Sequence, residues 1–399
     1  MPQMSPQARS RRGTAGRRRR GTVALLAIGA VVAMIGIGAI ALNWAWLANH
    51  QLEIRQAGEA AALAGAAKLL DPTPDAASSE EAREAAEQRV SAASAQAATV
   101  FSDNCRAALQ TEGADPDIVA GWCDDPISPG SPFEPWIGEG PVNAISVRGV
   151  FRRTAGQAIF VWFGNMFGVV DAEPAARAVA SMDQRVRGFR PVKFVTVPMV
   201  PLLISTAEKW PSAAPNGAPE LADEYSVDER TGAVTPGPDL RQEITLRVPL
   251  AGSLEPAPVA TWIRLDSGSD DWTRLAEQVK LGLGPSDLDS VGGQVVAGED
   301  SQILPAMAIP DAVHAASLQS ALLATKGQRR IWPRGSIAVV EGQLQGRITD
   351  FVAGRIVACR ADESGLELVI QACTLQTCTA LLESGSPRNP WIGKLILNQ

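Results

Sequence analysis

The chain has 399 residues, of which 46% are hydrophobic and 20% charged, and this composition excludes a disordered or collagen-like polypeptide. Seven arginines and no acidic residue lie in residues 1–20, so the remaining residues carry a net charge of −14 against −7 for the whole chain. Such an acidic body disfavours a nucleic-acid partner, and only two histidines, His50 and His314, are present for catalysis or metal binding.

A long apolar segment follows the basic tail. Residues 22–42, TVALLAIGAVVAMIGIGAIAL, contain no charge and no amide, and a helix of that length spans about 31 Å, the thickness of a bilayer core. Trp44 and Trp46 follow where an aromatic belt would lie. The sequence therefore predicts a transmembrane helix over 21–47. The positive-inside rule places the N-terminus in the cytoplasm and the bulk of the chain outside, in the periplasm or at the cell surface.

A cleaved signal peptide is the alternative interpretation of the same segment. Ala39-Ile40-Ala41 has the small-x-small form of a cleavage site. The apolar run, however, exceeds the 7–15 residues of a usual signal core, and the helical pattern continues beyond the possible cut. We therefore favour a retained, single-pass helix in contact with the lipid bilayer.

A small-residue strip marks the segment after the span. Residues 48–70 are rich in alanine, the best helix former, and contain no proline. Small residues four apart allow two helices to approach closely. The sequence therefore predicts a helix-packing interface, against the second helix or against a partner protein. Its residues are Gly58, Ala61, Ala62, Gly65 and Ala66.

A second helix is predicted after the break Asp71-Pro72-Thr73-Pro74. Ser78 and Glu81 form a capping box at its start, and apolar positions such as Val90, Ala97 and Phe101 recur at helical spacing up to Gln110. We expect this helix to fold back on the first as an antiparallel pair.

The N-terminal region resembles the TadE/TadG pilus-assembly proteins of tight-adherence (Tad, Flp pilus) systems. In that family a basic run and an apolar helix precede a module L-Q-x-A-A-D-A-A-A-L-A-G-A, which Leu52 and residues 56–66, QAGEAAALAGA, match closely here. The central Ala-Asp of the module is Gly58-Glu59 in this chain. Looser matches are VNAISVRGVFRR (142–153), residues 160–191 and VPMVPLLI (197–204).

The resemblance has limits that bear on function. The D-x-S-x-S metal motif of some TadG-like proteins is absent, since Asp266-Ser267-Gly268-Ser269-Asp270 has the residues in another order. A prepilin cleavage site would need Glu five residues after Gly21, where Leu26 stands. The resemblance therefore implies a membrane-anchored accessory protein with other pilus-assembly or pilin-like proteins as partners, rather than a major pilin.

The rest of the chain has the pattern of β-strands. Alternation is clear in EITLRVPL (243–250) and TWIRLDS (261–267), and helices are predicted over about 275–281 and 311–325. We predict an α+β protein: a transmembrane helix continuing into a helical stalk, a second packing helix, then a mainly antiparallel β-rich extracytoplasmic domain. The predicted parts are a basic cytoplasmic tail (1–20), the transmembrane helix (21–47), stalk and return helix (48–113), a first β-rich part (114–210), a Pro/Gly-rich linker (211–238) and a second β-rich part (239–399).

Five cysteines are disulfide candidates in an oxidising compartment. Cys105 and Cys123 would close a short loop, and Cys373 and Cys378 could close a hairpin, or either could pair with Cys359. Buried free thiols are the other interpretation, because free cysteine is among the most buried residue types.

No catalytic, cofactor or metal motif is recognisable, so the sequence predicts neither an enzyme nor a cofactor or small-molecule substrate. His314 lies on a predicted helix, and Asp266, Asp270 and Asp271 are more simply a solvated turn than Ca²⁺ ligands. We expect a structural component of a Tad-like pilus or secretion assembly. The alternative is a stalked adhesin or carbohydrate-binding module unrelated to pili, with Trp136, Trp210 and Trp272 stacking on sugars.

Overall fold

A computed structural model of the protein describes residues 15–70, 79–109, 116–128, 130–151, 159–161, 171–211, 222–251, 258–265 and 271–398. The helices in these ranges are α1 (Ala15–Ala66), α2 (Ser79–Leu109), α3 (Trp272–Leu281) and α4 (Ala312–Leu323), with short 3₁₀ turns at Ala67–Leu69, Pro285–Asp287 and Asp289–Val291. The strands are β1 (Asp117–Cys123), β2 (Phe133–Pro135), β3 (Ala144–Val150), β4 (Ile159–Phe160), β5 (Asp171–Ala172), β6 (Ala175–Asp183), β7 (Val186–Phe189), β8 (Leu202–Ser205), β9 (Tyr225–Val227), β10 (Val234–Pro236), β11 (Glu243–Pro249), β12 (Ala260–Ile263), β13 (Val295–Val296), β14 (Ile303–Met307), β15 (Arg329–Val340), β16 (Gln343–Asp362), β17 (Gly365–Ala372), β18 (Leu375–Gln376), β19 (Ala380–Leu382) and β20 (Ile392–Asn398).

The predicted α+β fold is confirmed: a long apolar N-terminal helix, a second helix and then a mainly antiparallel β region. The 52 residues of α1, from Ala15 in the basic tail through the apolar segment to Ala66, form a single helix. The predicted second helix matches α2 closely, although Ser78 of the capping box and the break at 71–74 lie outside the described residues.

The first sheet has the strand order β18-β20-β6-β3-β1-β2, and α1 and α2 pack on one of its faces. Side chains alternate along each strand, so Ile145 and Val147 of β3 and Ala178 and Ala180 of β6 all face the helices. These four residues are buried with Phe101 of α2 in one apolar cluster. The helical pair and the first sheet therefore share a core.

The second sheet closes on itself. Its strand order is β11-β17-β16-β14-β12-β8-β15, and β15 pairs with β16 again, so five strands form a ring of hydrogen-bonded neighbours. Inside that ring Leu203 and Ile263 pack so closely on Gly346 that a Cβ there would meet both side chains. The strands β17 and β11 continue the sheet beyond the ring, so β11 is an edge strand, and α3 and α4 cover a second apolar cluster outside the ring.

The chain crosses between the two sheets more than once. The strand β8 precedes the predicted linker 211–238 yet belongs to the second sheet, while β20, at the C-terminal end, pairs with β6 in the first. Residues 222–238 of that linker include the hairpin β9–β10, and 212–221 lie outside the described residues. The sheets therefore do not follow the boundaries expected from composition.

Candidate functional site: the membrane helix and its packing surface

One helix among the described residues is long and apolar enough to cross a membrane, beginning at Val23 within α1. Its apolar half is not a core helix, because side chains such as Leu25, Leu26 and Ile37 are 71%, 74% and 68% exposed in the folded chain. From Ile54 onward the same helix is buried in the first core. A single rigid element thus has an apolar exposed half and a packed half.

The predicted small-residue strip is the packed half of this helix. A Cβ atom added to Gly65 would lie 3.0 Å from the carbonyl oxygen of Ala93, 3.1 Å from Cβ of Ala97 and 3.3 Å from Cγ2 of Ile145. Glycine therefore lets α1 approach α2 and β3 at once, closer than a larger side chain would allow. Ala61, Ala62 and Ala66 of the same strip are fully buried.

Gly58 faces the sheet rather than α2. A Cβ atom there would lie 3.7 Å from Cβ of Ala178 and 4.0 Å from the carbonyl oxygen of Val147, which are ordinary contact distances. Helical spacing predicts helix packing of this strip, but the first sheet also covers much of it. The available signal was the alternation of Ala176, Ala178 and Ala180 in β6, which leaves room for a helix.

The structure does not bring the predicted pair Cys105 and Cys123 together. The backbone amide of Cys123 donates to Oδ1 of Asn143, at one end of β3, whereas Phe101, one turn before Cys105, lies against Gly149 at the other end. Asn143 and Gly149 are six residues apart along the strand, which is about 20 Å. A disulfide allows only roughly 7 Å between Cα atoms, so Cys105 and Cys123 are too far apart to form one.

The other three cysteines are also free thiols in the structure. Cys359 lies opposite Leu368 on β17, whereas Cys373 follows the end of that strand, about 17 Å further along the sheet. Cys378 is exposed and the other four cysteines are buried. Burial raises the pKa of Cys105 to about 11 and that of Cys359 to about 12, so neither thiol ionises near neutral pH.

The three tryptophans proposed for sugar stacking do not share a surface. Trp210 is buried in the second core, and Trp272, at the start of α3, lies edge-on to His314 at 5.7 Å. Trp136 lines a cleft of about 710 Å³ beside α2, together with Trp122. Trp122 and Trp136 are the aromatic side chains in that cleft on which a planar ligand would stack.

The acidic turn and His314 have structural partners. The Asp271 carboxylate accepts from the amides of Thr273 and Arg274 and so caps α3, while Asp266 and Asp270 lie outside the described residues. Asp311 caps α4 in the same way and contacts Nδ1 of His314 at 2.8 Å. No group of three or more potential metal ligands occurs within the part of the chain that the structure describes.

A charged cluster that the sequence did not reveal joins the β9–β10 hairpin to the second sheet. Both Glu229 carboxylate oxygens accept from the buried Arg355 guanidinium, at 2.9 and 3.0 Å, and Arg329 and Arg241 are at 2.6 and 2.5 Å. Burial alone would raise the pKa of Glu229, but the charges of Arg355 and Arg241 and the hydrogen bonds outweigh it and lower the pKa to about 2. Among the described residues, Glu229 and these three arginines form a structural cluster of ion pairs that holds the hairpin to the second sheet.

Comparisons of this chain with protein-family models, with curated proteins and with solved structures found no match. The class of protein is therefore defined by its own architecture: an α+β chain with one helix able to cross a membrane, continuous with the core of a β-rich domain.

Proposed function

We propose that this protein is a membrane-anchored, non-enzymatic component of a Tad/Flp-like pilus or secretion assembly. The observation that carries the proposal is the continuity of α1, whose exposed apolar half is joined without a break to a half buried under α2 and the first sheet. A helix shared in this way fixes the domain to the bilayer, because the domain cannot swivel without disturbing its own core.

The orientation in the proposal follows from charge. Arginines precede the span at positions 17–20, and the first charged residue after it is Glu53. The positive-inside rule then keeps the N-terminus in the cytoplasm and presents the β-rich domain outside, in the periplasm or at the cell surface.

The resemblance to TadE/TadG proteins supports the assignment to a pilus or secretion assembly. The module at residues 56–66 that carries the resemblance is also the strip on which α2 and the first sheet pack. Packing within this one chain therefore explains why the strip consists of small residues. Partner proteins must therefore contact other surfaces, and the exposed apolar faces of α1 around Leu25, Leu26 and Ile37 suit a neighbouring apolar helix.

A transmembrane exchange tests this proposal. Residues 23–42 would be replaced by an unrelated apolar helix of equal length, which keeps anchoring but changes every exposed contact within the span. We expect the variant to stay in the membrane fraction while co-purification with pilin-like or secretion proteins, and surface adherence or secretion, decline. Unchanged co-purification and unchanged output would refute the assembly role.

A stalked carbohydrate-binding module is the second candidate. The observation in its favour is the cleft that Trp122 and Trp136 line, since aromatic rings can stack on the apolar faces of sugars. A glycan array probed with the detergent-solubilised protein and its Trp136→Ala variant would separate the candidates. Glycan binding that the substitution abolishes would favour the adhesin.

A further inference from the structure

The strand β20 has backbone groups that point out of the first sheet. On its neighbour β6, the amide of Met182 donates to the carbonyl oxygen of Asn143 at 2.7 Å, so the backbone of Met182 faces β3. Leu395 of β20 lies opposite Met182 and Leu397 lies two residues further along. Backbone groups alternate in direction along a strand, so the N–H and C=O groups of Leu395 and Leu397 face away from β6.

Another strand covers only the beginning of this outer edge. The strand β18 pairs in parallel with Ile392 and Gly393, and the amide of Thr377 donates to the Gly393 carbonyl at 3.1 Å. Beyond Gly393, none of the described strands pairs with the outer side of β20. We refer to the outer backbone side of residues 394–398 as the open edge. A row of unpaired backbone groups of this kind is a template for another strand.

The opposite edge of the same sheet is protected against such pairing. That edge is β2, which has three residues and includes the exposed Glu134 and Pro135. A short strand, a charge and a proline all discourage pairing with another chain. The open edge has the sequence KLILN, without proline, and the ammonium of its single charged residue, Lys394, donates to the carbonyl of Ala380 at 2.9 Å. The open edge therefore lacks the protection that β2 has.

An apolar groove runs along the open edge. Its volume is about 630 Å³, and residues 394–398 line it together with β19 and residues 126–128, 130 and 131. Lys394 is the one charged residue among the described residues that line it. Leu395 and Leu397 pack at the margin of the first core, and Ile396 lies on the other face of the strand. A strand in this groove would therefore meet apolar side chains on both faces.

A second copy of the chain in the same membrane cannot supply an antiparallel strand to the open edge. The helix α1 runs along the strands of the sheet, because Ile54 lies against Gly149 whereas Gly65 lies against Ile145. An antiparallel copy is related by a half-turn about an axis perpendicular to the sheet. Its α1 would therefore point away from the bilayer that holds the first copy.

We propose that the open edge binds an extended segment of a different protein, which adds an antiparallel strand to the first sheet. Antiparallel pairing is the more stable arrangement of two strands. Backbone hydrogen bonds to Leu395 and Leu397 supply the affinity, and the groove selects an uncharged, mainly apolar segment. The proposal requires α1 to anchor the chain and does not depend on whether the assembly is a pilus.

The position of the open edge suits a partner anchored in the same membrane. Asn398 pairs with Val179, next to Ala178, which Gly58 of α1 faces. Gly58 is eleven residues beyond Leu47, the predicted end of the span, which is about 16 Å along a helix. The groove therefore lies outside the bilayer and within reach of a neighbouring membrane protein.

A synthetic peptide of residues 393–399, GKLILNQ, tests whether the edge accepts a strand. Free of α1, this peptide can pair antiparallel with β20. When its Leu395 lies opposite Leu397 of the protein, the outward backbone groups of the two strands meet. Fluorescence anisotropy of the labelled peptide, titrated with the detergent-solubilised full chain, measures binding. We expect saturable binding.

N-methylation provides matched control peptides. Methyl groups on the nitrogens of Leu395 and Leu397 remove the donors that face the protein, whereas methyl groups on Ile396 and Asn398 point away from it. We expect the first peptide to bind about tenfold more weakly or worse, since two hydrogen bonds are lost, and the second to bind like the parent. Absence of saturable binding, or equal binding of the two methylated peptides, would overturn the proposal.

Hydrogen exchange then shows whether the edge is occupied in the cell envelope. The amides of Leu395 and Leu397 should exchange slowly in native membranes and rapidly in the purified protein, measured by mass spectrometry with residue-level fragmentation. The amide of Ile396 faces β6 and is the internal control, expected to be slow in both samples. Rapid exchange of Leu395 and Leu397 in native membranes would contradict the proposal. Protection that rises with the concentration of the purified protein would also contradict it, because the chain would then be pairing with itself.

Discussion

Gly65 is a residue at which α1 closely approaches both α2 and the first sheet. A side chain there would meet Ala93, Ala97 and Ile145 at 3.0 to 3.3 Å. Replacing Gly65 with Leu should therefore lower the free energy of unfolding by at least about 1–3 kcal/mol, the usual cost of overpacking. Urea unfolding of the detergent-solubilised full chain, followed by tryptophan fluorescence, measures the change.

Gly58 on the same helix provides a matched control. A Cβ there would make ordinary contacts at 3.7 and 4.0 Å, and alanine favours a helix by about 1 kcal/mol over glycine. Gly58→Ala should therefore leave stability unchanged or raise it slightly. If Gly65→Leu were equally harmless, the close approach seen at Gly65 would not exist in solution.

The ion pair of Glu229 should make stability depend on pH. The pKa of this carboxyl is about 2 in the folded protein, below its ordinary value of 4.5, so its contribution is complete above about pH 5. The contribution is lost as pH falls from about 4.5 toward 2. The midpoint of unfolding should therefore fall more between pH 7 and pH 3 in the wild type than in Glu229→Gln.

The control for this prediction is Glu80 on α2, whose pKa is also lowered by Arg83 but which is fully exposed to solvent. Water screens such a pair, so Glu80→Gln should behave as the wild type at both pH values. A pH response of Glu229→Gln identical to that of the wild type would mean that Glu229 does not pair with Arg355 in solution.

Some of these features could be predicted from the sequence and others could not. The strip of Gly58, Ala61 and Gly65 was predictable because helical spacing is local and small residues have few other uses in a helix. Glu229 could not be found, since its partner Arg355 lies more than a hundred residues away in the chain. The pairing of Cys105 with Cys123 failed for a similar reason: their closeness in sequence says nothing about opposite ends of a strand.

At the scale of elements, β20 joins the two parts of the domain. Ile392 is buried in the same apolar cluster as Leu203 and Ile263 of the closed ring, while Gly393 packs on Met182 and Leu70 near the helices. Deleting residues 392–399 should cost more than about 2–5 kcal/mol, the loss for one buried Ile or Leu alone. Cellular protein level and the cooperativity of urea unfolding report the effect.

Deleting only Gln399 is the matched control, because it leaves every residue of β20 in place. We expect that variant to keep the abundance and unfolding midpoint of the wild type. If the longer deletion also left both unchanged, β20 would not be part of the folded core.

Helices and sheets differed in how well sequence predicted them. The presence of α1 and α2 followed from apolar spacing and breaks, which are properties of neighbouring residues, although α1 begins at Ala15, within the predicted basic tail. The ring formed by β8, β12, β14, β15 and β16 depends on pairings between distant segments, and alternation within a strand does not specify its neighbour. Composition therefore suggested a linker at 211–238, where the structure has the β9–β10 hairpin between two strands of the second sheet, β8 and β11.

At the scale of the whole molecule, the proposed topology places the basic tail and the β-rich domain on opposite sides of a bilayer. The domain itself contains a natural reporter of its location. Cys378 is exposed, whereas Cys105, Cys123, Cys359 and Cys373 are buried. Among the five thiols, Cys378 should therefore be the one that reacts in the folded protein.

A membrane-impermeant maleimide added to intact spheroplasts should label this thiol if the domain lies outside. We expect one label per chain at pH 7, and loss of that label in Cys378→Ser, because burial keeps the pKa of Cys105 at about 11 and that of Cys359 at about 12. A cysteine placed in the tail by Ser5→Cys, in the Cys378→Ser background, should react only after the membrane is permeabilised. If Ser5→Cys were labelled in intact spheroplasts, and Cys378 of the wild type were not, the orientation would be reversed, since one span cannot leave both ends on the same side.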